Sequence, residues 1–357
     1  LDGPDPIPPG WTEWYGAEDP GTYRMWGYTL NENGENVTYG DYDIQDPATY
    51  QTDVYAQKAS EFIARRAPEE APFFLSVAPL APHVEVFDRP VDGDDDPPTP
   101  AYPNPRPAPR HANAFATEKL KKTPSFNEAD VSDKPEAIRA LPPPDGPATG
   151  QAGNKYRSRL TSLLAVDDLL STVVNSLRDS GELNRTLIVF TSDNGFMQGQ
   201  HRVPGGKLLP YEPSIRVPLL MRGPGVPVGQ TREQLVWNGD LAPTILAAAK
   251  GRASRPFDGM SLWPVLRDPR LRLAREGVLI EGSPKGTRDS RPRFAGVRTD
   301  RYVYVRYRLT GEEELYDLER DPDQLENLAY RPGAEPVRRR LAALLYRLRA
   351  CRGSGCR

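Results

Sequence analysis

The sequence predicts an α/β fold: a mainly parallel sheet flanked by helices, followed by a smaller C-terminal antiparallel sheet plus helix. Three observations carry that expectation. Two short apolar runs, Pro72-Phe73-Phe74-Leu75-Ser76-Val77-Ala78 and Thr186-Leu187-Ile188-Val189-Phe190, have the length and continuity of strands covered on both faces. Each comes after a stretch of helical periodicity. Beyond residue 270 the pattern changes to short alternating segments joined by turns, which is how an antiparallel sheet reads.

Taken in order, residues 1–48 are rich in Pro, Gly, Asp and aromatics and read as an irregular covering segment with short strands near 23–30. A helix over 49–66 is expected from Tyr55, Ala59, Phe62 and Ile63 at helical spacing. Residues 88–147 hold fourteen prolines and an acidic run at 92–96 without periodicity, and read as a long excursion over the sheet's edge. The spacing then predicts a helix over 154–180, with Tyr156, Leu160, Leu163, Leu170, Val173, Val174 and Leu177 on one face and Gly181 as its C-terminal cap. Residues 217–222 are a candidate strand, and 239–244 open a helix with Asp240 as cap and Pro243 in the first turn. Segments 278–281, 294–299, 301–308 and 314–318 form the antiparallel sheet, and a last helix over 335–350 turns Val337, Leu341, Leu344, Leu345 and Leu348 inward. No internal repeat is present.

Composition narrows the function classes. The net charge of −3 and pI near 5.8 argue against a nucleic-acid coat or a membrane-surface binder, both of which carry a basic excess. No run of eighteen apolar residues occurs, so the sequence suggests no membrane span. The two cysteines, Cys351 and Cys356, can close a small loop in an oxidising compartment or stand as free thiols. Zinc is a poor match, since no further cysteine or histidine lies near them.

In an open α/β sheet, ligands bind beyond the carboxyl ends of the strands. Two strand ends carry suitable groups. After Phe190 comes Thr191-Ser192-Asp193-Asn194-Gly195, and His83 lies six residues past Val77. Asp193 and Asn194 offer adjacent hard oxygen donors, which suit calcium or magnesium rather than zinc or copper. Asp-Asn-Gly is also an ordinary turn sequence. It leads into a polar, glycine-rich loop containing His201 and ending in Gly205-Gly206-Lys207. Lysine occurs only nine times in the chain, and two glycines let the backbone before Lys207 approach a ligand closely. An ammonium beside a divalent cation makes chemical sense where a sulfate or phosphate lies between them. A solitary surface lysine would have no such meaning.

These residues carry a family resemblance. Thr191-Ser192-Asp193-Asn194-Gly195, Gly206-Lys207, Tyr211-Glu212-Pro213-Ser214-Ile215-Arg216-Val217-Pro218-Leu219-Leu220, Arg222-Gly223-Pro224-Gly225 and Asp240-Leu241-Ala242-Pro243-Thr244-Ile245-Leu246 resemble the sulfatase family. So do the tail Glu314-Leu315-Tyr316-Asp317-Leu318-Glu319-Arg320-Asp321-Pro322 and the strand-end His83 after Ala78-Pro79-Leu80-Ala81-Pro82. Within the family the chain looks most like bacterial N-acetylglucosamine-6-sulfatase-like and arylsulfatase proteins. The resemblance implies an alkaline-phosphatase-like fold, here incomplete, with a truncated catalytic domain over 1–268 and a C-terminal α+β subdomain over 269–357. It implies hydrolysis of sulfate esters, of a sulfated carbohydrate or an aryl sulfate, by a formylglycine beside Ca2+ (or Mg2+). Asp193 and Asn194 would then be metal ligands, Lys207 would contact the sulfate and leaving oxygen, and His83 would bind sulfate or assist the leaving group. His201 is a weaker substrate-binding candidate, set against a loop histidine that only packs. The family also implies an extracytoplasmic, secreted protein.

The departures matter as much. Residues 1–357 contain neither the family's Cys-x-Pro-x-Arg nucleophile motif nor its serine version, and no first strand ending in paired aspartates. Formylglycine and the remaining metal ligands are therefore expected only in an N-terminal segment before Leu1. Two alternatives stay open: a phosphodiesterase or phosphonate hydrolase of the same superfamily, and a non-catalytic remnant that binds sulfated glycans through Lys207, His83 and aromatics such as Trp11 and Trp14.

Overall fold

The computed structural model describes residues 7–86, 104–282 and 294–356; the acidic run at 92–96 lies outside them. In chain order the elements are β1 (Tyr15–Glu18), β2 (Tyr28–Glu32), β3 (Glu35–Tyr39), α1 (Gln51–Arg66), the single turn α2 (Glu136–Arg139) and the long α3 (Gly146–Asp179). Then come β4 (Ile188–Thr191), the turn α4 (Glu212–Ile215), β5 (Leu219–Arg222), α5 (Leu241–Ala248) and α6 (Trp263–Arg267). The chain ends with β6 (Val278–Gly282), β7 (Phe294–Arg298), β8 (Tyr302–Tyr307), β9 (Glu313–Asp317) and α7 (Glu335–Ala350). Residues 1–120 with 150–184 make one compact unit, and 121–149 with 185–357 make another.

The first unit is a three-stranded meander with helices. β2 turns into β3 through Asn33-Gly34, whose φ angles of 57° and 100° are the left-handed pair that a tight two-residue hairpin demands. Tyr28 and Leu30 of β2 pack on Val54 of α1, with Tyr39 and Tyr55 at the margin. Ser60 of α1 meets Ser176 of α3 at 2.8 Å, hydroxyl to hydroxyl. The buried residues of α3 are Thr161, Ser162, Ala165, Val166, Leu169 and Leu177; of the leucine face that the spacing suggested, Leu177 is buried and the others are partly exposed. Thr161 and Ser162 can face inward because each hydroxyl donates to a backbone carbonyl of its own helix, Thr161 to Arg157 at 2.8 Å and Ser162 to Arg159 at 3.0 Å. Gly181, at φ 79°, caps α3 as expected: its N–H reaches the Arg178 carbonyl and the Glu182 N–H reaches that of Leu177. By length and composition α3 is the one described helix that could cross a bilayer. Asp168 sits midway along it, however, held by Arg110 at 2.6 Å and His111 at 2.7 Å, a costly group to bring into lipid.

Two expectations for strands need correction. Residues 72–78 form no ladder among the described residues, and their exposure alternates, with Phe74 56% exposed. A run apolar enough to be covered on both faces is thus open on one. Every named ladder among the described residues is antiparallel, including β4 with β5 in the second unit. Parallel neighbours need a crossover, whereas after β4 the chain turns back through α4 to lie beside it.

The four-stranded meander β6-β7-β8-β9 appears as expected, and α7 covers it. Leu341, Leu344, Leu345 and Leu348 of α7 pack on Ala295, Val297, Tyr304 and Leu315, while Phe294, Val303, Val305 and Tyr307 form a second cluster. The Glu314 carboxylate, fully buried, accepts hydroxyl hydrogen bonds from Tyr211 at 2.9 Å, Tyr307 at 2.5 Å and Tyr316 at 2.5 Å. Asp240 is also fully buried and occupies the N-cap position of α5 as expected, but its side chain makes no capping hydrogen bond to that helix. Its oxygens take the N–H groups of Trp237 (3.0 Å) and Met260 (2.7 Å) and both arms of the Arg275 guanidinium, at 2.6 and 2.7 Å. A bidentate arginine and two loop amides claim the carboxylate instead of the first turn of the helix.

Arg275→Ala leaves the Asp240 carboxylate buried without its counter-ion, so urea unfolding should show a loss of about 3–5 kcal/mol. Glu314 behaves in the opposite sense to a surface carboxylate. Burial is the largest influence and lifts its pKa, while the three tyrosine hydrogen bonds and the nearby His201 pull it back. Above the ordinary glutamate range the native state thus retains a proton that the unfolded chain has released. Its contribution is fully present below that range and is lost as pH rises through the folded-state pKa. Urea midpoints measured across pH should show this decline in the wild type and a flatter profile in Glu314→Gln.

Candidate active site

The site residues in the second unit stand on the turn after β4 and on the loop that returns toward α4. Thr191 ends β4 and its hydroxyl donates to the Pro218 carbonyl at 2.9 Å, tying the strand end to the approach of β5. Asp193 is exposed, and its Oδ1 accepts the Asn194 N–H at 2.9 Å. The Asn194 side chain is oriented by its own amide, Nδ2 donating to the Gly195 carbonyl at 2.9 Å. Its Oδ1 accepts from Lys207 Nζ at 2.9 Å. Gly195 is required where it stands: its N–H meets the Ser214 carbonyl at 2.9 Å, and a Cβ there would lie 2.2 Å from the Pro213 carbonyl oxygen.

Residues 196–207 form a closed loop. The Met197 N–H donates to the Gly206 carbonyl at 2.7 Å, so the two stems are bridged just before Lys207. At the tip, His201 and Arg202 both hold positive φ, 50° and 64°, and Gly199 and Val203 close the turn at 2.8 Å. That tip is clamped to residues 125–129. The His201 N–H donates to the Ser125 carbonyl at 2.8 Å, and the Arg202 guanidinium donates to the Glu128 and Ala129 carbonyls at 2.8 and 2.6 Å. The His201 ring is buried, with Nδ1 2.6 Å from Glu128 Oε2 and its face 4.2 Å from the Tyr211 ring. The ring anchors the loop, and no edge of it meets solvent.

His83 belongs to the first unit and is described there by itself. Its N–H donates to the Leu80 carbonyl at 2.8 Å, its ring lies 5.2 Å from Tyr23, and Nδ1 is 2.7 Å from the Val84 carbonyl oxygen. A carbonyl only accepts, so Nδ1 carries a proton. The structure therefore brings Asp193, Asn194 and Lys207 together within one unit.

Sequence reasoning missed two polar anchors. Glu85, fully buried two residues after His83, accepts the Met25 N–H at 2.8 Å and a two-armed ion pair from Arg106. Glu128 links His201 to Lys134, whose ammonium lies 3.2 Å away and also donates to the Leu325 carbonyl at 2.6 Å. Neither residue sits in a recognisable motif, and only their burial identifies them.

Asp193 and Asn194 do not by themselves make a site for Ca2+ or Mg2+. They supply two adjacent oxygens with one formal charge, where calcium takes about six to eight. The Asn194 oxygen already faces an ammonium, and no cluster of three His, Cys, Asp or Glu capable of holding a metal occurs among the described residues.

The sulfatase family profile matches residues 10–251, and a profile described as N-sulphoglucosamine sulphohydrolase, C-terminal, matches residues 199–351. An arylsulfatase of Volvox carteri is 34% identical over 98% of this chain and 58% of its own length. The N-acetylglucosamine-6-sulfatase of Capra hircus is 32% identical over 98% of this chain and 64% of its own. The chain thus spans about six-tenths of the length of these relatives. Among solved structures, one in complex with its substrate D-glucosamine-2-N,6-O-disulfate superposes with a TM-score of 0.79 at 22% identity, covering 95% of this chain and 76% of that one. The phosphonate monoester hydrolase of Agrobacterium radiobacter gives 0.62 at 25% identity, over 84% and 62%. With its profile matched over most of its length and its strand-end turn and lysine in place, the chain belongs to the sulfatase family.

Proposed function

We propose that this protein acts on sulfate esters of sulfated sugars, with Lys207 as the cation that meets the sulfate. The observation that carries the reading is the hydrogen bond from Lys207 Nζ to Asn194 Oδ1, which fixes an ammonium beside the Asp193-Asn194 turn at a strand end. An ammonium there offers charge-assisted hydrogen bonds to an oxyanion, and such bonds are about twice as strong as neutral ones. Sulfate ester cleavage leaves negative charge on the bridging oxygen, so a fixed cation lowers the barrier. In this reading His83, held through Nδ1–H by the Val84 carbonyl, binds the sulfate or assists the leaving oxygen.

The reading assigns no nucleophile to residues 1–357. Both cysteines are joined in the Cys351–Cys356 disulfide, and no Cys-x-Pro-x-Arg occurs. A formylglycine, as the family resemblance implies, would have to come from a segment other than these residues. The disulfide also supports an oxidising, extracytoplasmic setting.

Isothermal titration of the chain with glucosamine 6-sulfate should show binding that Lys207→Ala weakens by roughly tenfold to a hundredfold, the loss of one charge-assisted hydrogen bond. The same chain should give no steady turnover of a chromogenic aryl sulfate. Sustained turnover abolished by Lys207→Ala would overturn the absence of a nucleophile, and unchanged titrations would overturn the role of Lys207. The likeness to a phosphonate monoester hydrolase supports a second reading, in which the same lysine meets a phosphonate. A methylphosphonate monoester binding more tightly than the sulfated sugar would favour it.

A further inference from the structure

A second cationic feature lies in the four-stranded sheet, and nothing in the reaction uses it. Tyr304, Arg306 and Arg308 alternate along β8 and just past its end, so all three side chains leave the same face of the sheet. Across from them α7 presents Ala342, Leu345, Tyr346 and Arg349, spaced at three, four and seven residues and hence on one helical stripe. The two rows bound a cleft of about 310 Å3. Small Ala295 and Ala342 leave the floor low, while Arg306, Arg308, Arg349 and Tyr346 stand at its rim.

Its charge is one-sided. Arg308 and Arg349 share the single Glu281 carboxylate, at 2.9 and 3.4 Å, and Arg306 has no acidic partner among the described residues. Glu313, across the strand from Arg306, is taken by Arg338 and the Tyr304 hydroxyl, so among the cleft's own arginines only Glu281 is shared. The shared pairs are exposed, and such pairs contribute little, so a better anion can displace Glu281 at small cost. Tyr346 is 80% exposed, an unusual position for a large aromatic ring that serves packing alone.

We infer that this cleft binds an anionic saccharide, its sulfate groups held by Arg306, Arg308 and Arg349 and a sugar ring lying against Tyr346. Guanidinium forks match a tetrahedral oxyanion with two parallel hydrogen bonds, which an ammonium cannot do. An aromatic face supplies apolar contact to the C–H side of a pyranose. The saccharide class rests on the reading of Lys207 as a sulfate-ester contact, but the cleft itself does not include that residue. Because guanidinium stays charged throughout, binding here should vary little between about pH 5 and pH 9 and should weaken steadily with added salt.

The test titrates a heparin octasaccharide into the full chain and into four variants. Arg306→Glu should weaken binding at the cleft about tenfold or more and Tyr346→Ala by a smaller factor, while Lys207→Ala should remove only the strand-end binding and leave a component that Arg306→Glu abolishes. All three positions are exposed or half-buried, and Arg306→Lys, which keeps the charge, should recover part of the affinity if the loss is electrostatic. Arg306→Glu binding like the wild type would overturn the cleft. Tyr346→Ala without effect, together with polyphosphate competing as well as the octasaccharide, would overturn the saccharide. Loss of octasaccharide binding in Lys207→Ala alone would move the ligand to the strand-end site and away from α7.

Discussion

A single buried carboxylate organises the unit that carries the strand-end turn. Glu314, in the centre of β9, takes three tyrosine hydroxyls, two from its own sheet and one from Tyr211. Tyr211 lies four residues beyond Lys207 and opens the turn α4. Through it the end of the loop is fastened to the C-terminal sheet, and the His201 ring, tilted against Tyr211, fastens the tip as well. A charge in such a place is expensive unless its lone pairs are satisfied, and three donors go far toward satisfying them. An apolar residue would cost less to bury but could not fix the tyrosines in one arrangement. The arrangement is what gives Lys207 a fixed stem.

The hydrogen bond between Lys207 and Asn194 results from constraints on either side of it. From the β4 side, Thr191 is tied to Pro218 and Gly195 is pressed against the Pro213 carbonyl, so the Asp193-Asn194 turn has one path. From the loop side, the Met197–Gly206 bridge closes the stems immediately before the lysine. Chemistry that depends on the direction of an ammonium needs this kind of support, because a lysine on an unbraced loop explores many rotamers. Sequence separation between Asn194 and Lys207 is thirteen residues, yet the cross-links leave little slack.

Much of this is legible in the sequence where local chemistry decides the outcome. Helices α1 and α7, the four alternating strands and the Gly181 cap appear where spacing and composition put them, because an amphipathic stripe or a glycine at positive φ has few alternatives. The Asn33-Gly34 hairpin carries an equally local signal, hidden only by the aromatic, proline-rich segment around it. Other features depend on partners far along the chain. Asp240 reads as a helix cap until Arg275, thirty-five residues on, claims both its oxygens. His201 reads as a weak substrate-binding candidate set against a histidine that only packs, and its burial against Glu128 and Tyr211 depends on partners outside its own loop. Residues 72–78 read as a strand from apolarity alone, but a strand is defined by what it pairs with, and pairing is not written in the run itself. Asp193, Asn194 and Lys207 stand out because a strand end, a glycine-rich turn and a scarce residue type coincide.

The distribution of cations separates structural from chemical roles. Several arginines with acidic neighbours are committed to them: Arg275 to Asp240, Arg106 to Glu85, and Arg110 to Asp53 and Asp168. Lys134, although a lysine, is enclosed and bonded to Glu128, Asp133 and a carbonyl. In each case the cation completes a carboxylate, and its removal would register as lost stability. The contact between Lys207 and Asn194 is different in kind, since the acceptor there is a neutral amide oxygen. Arg306 is different again, because no acid answers it among the described residues. A cation set at a rim beside arginines that share one acid retains its field for something that arrives from outside. That criterion supports the cleft beneath α7 as the second place proposed for an oxyanion, beside the turn after β4 where Lys207 is proposed to meet the sulfate.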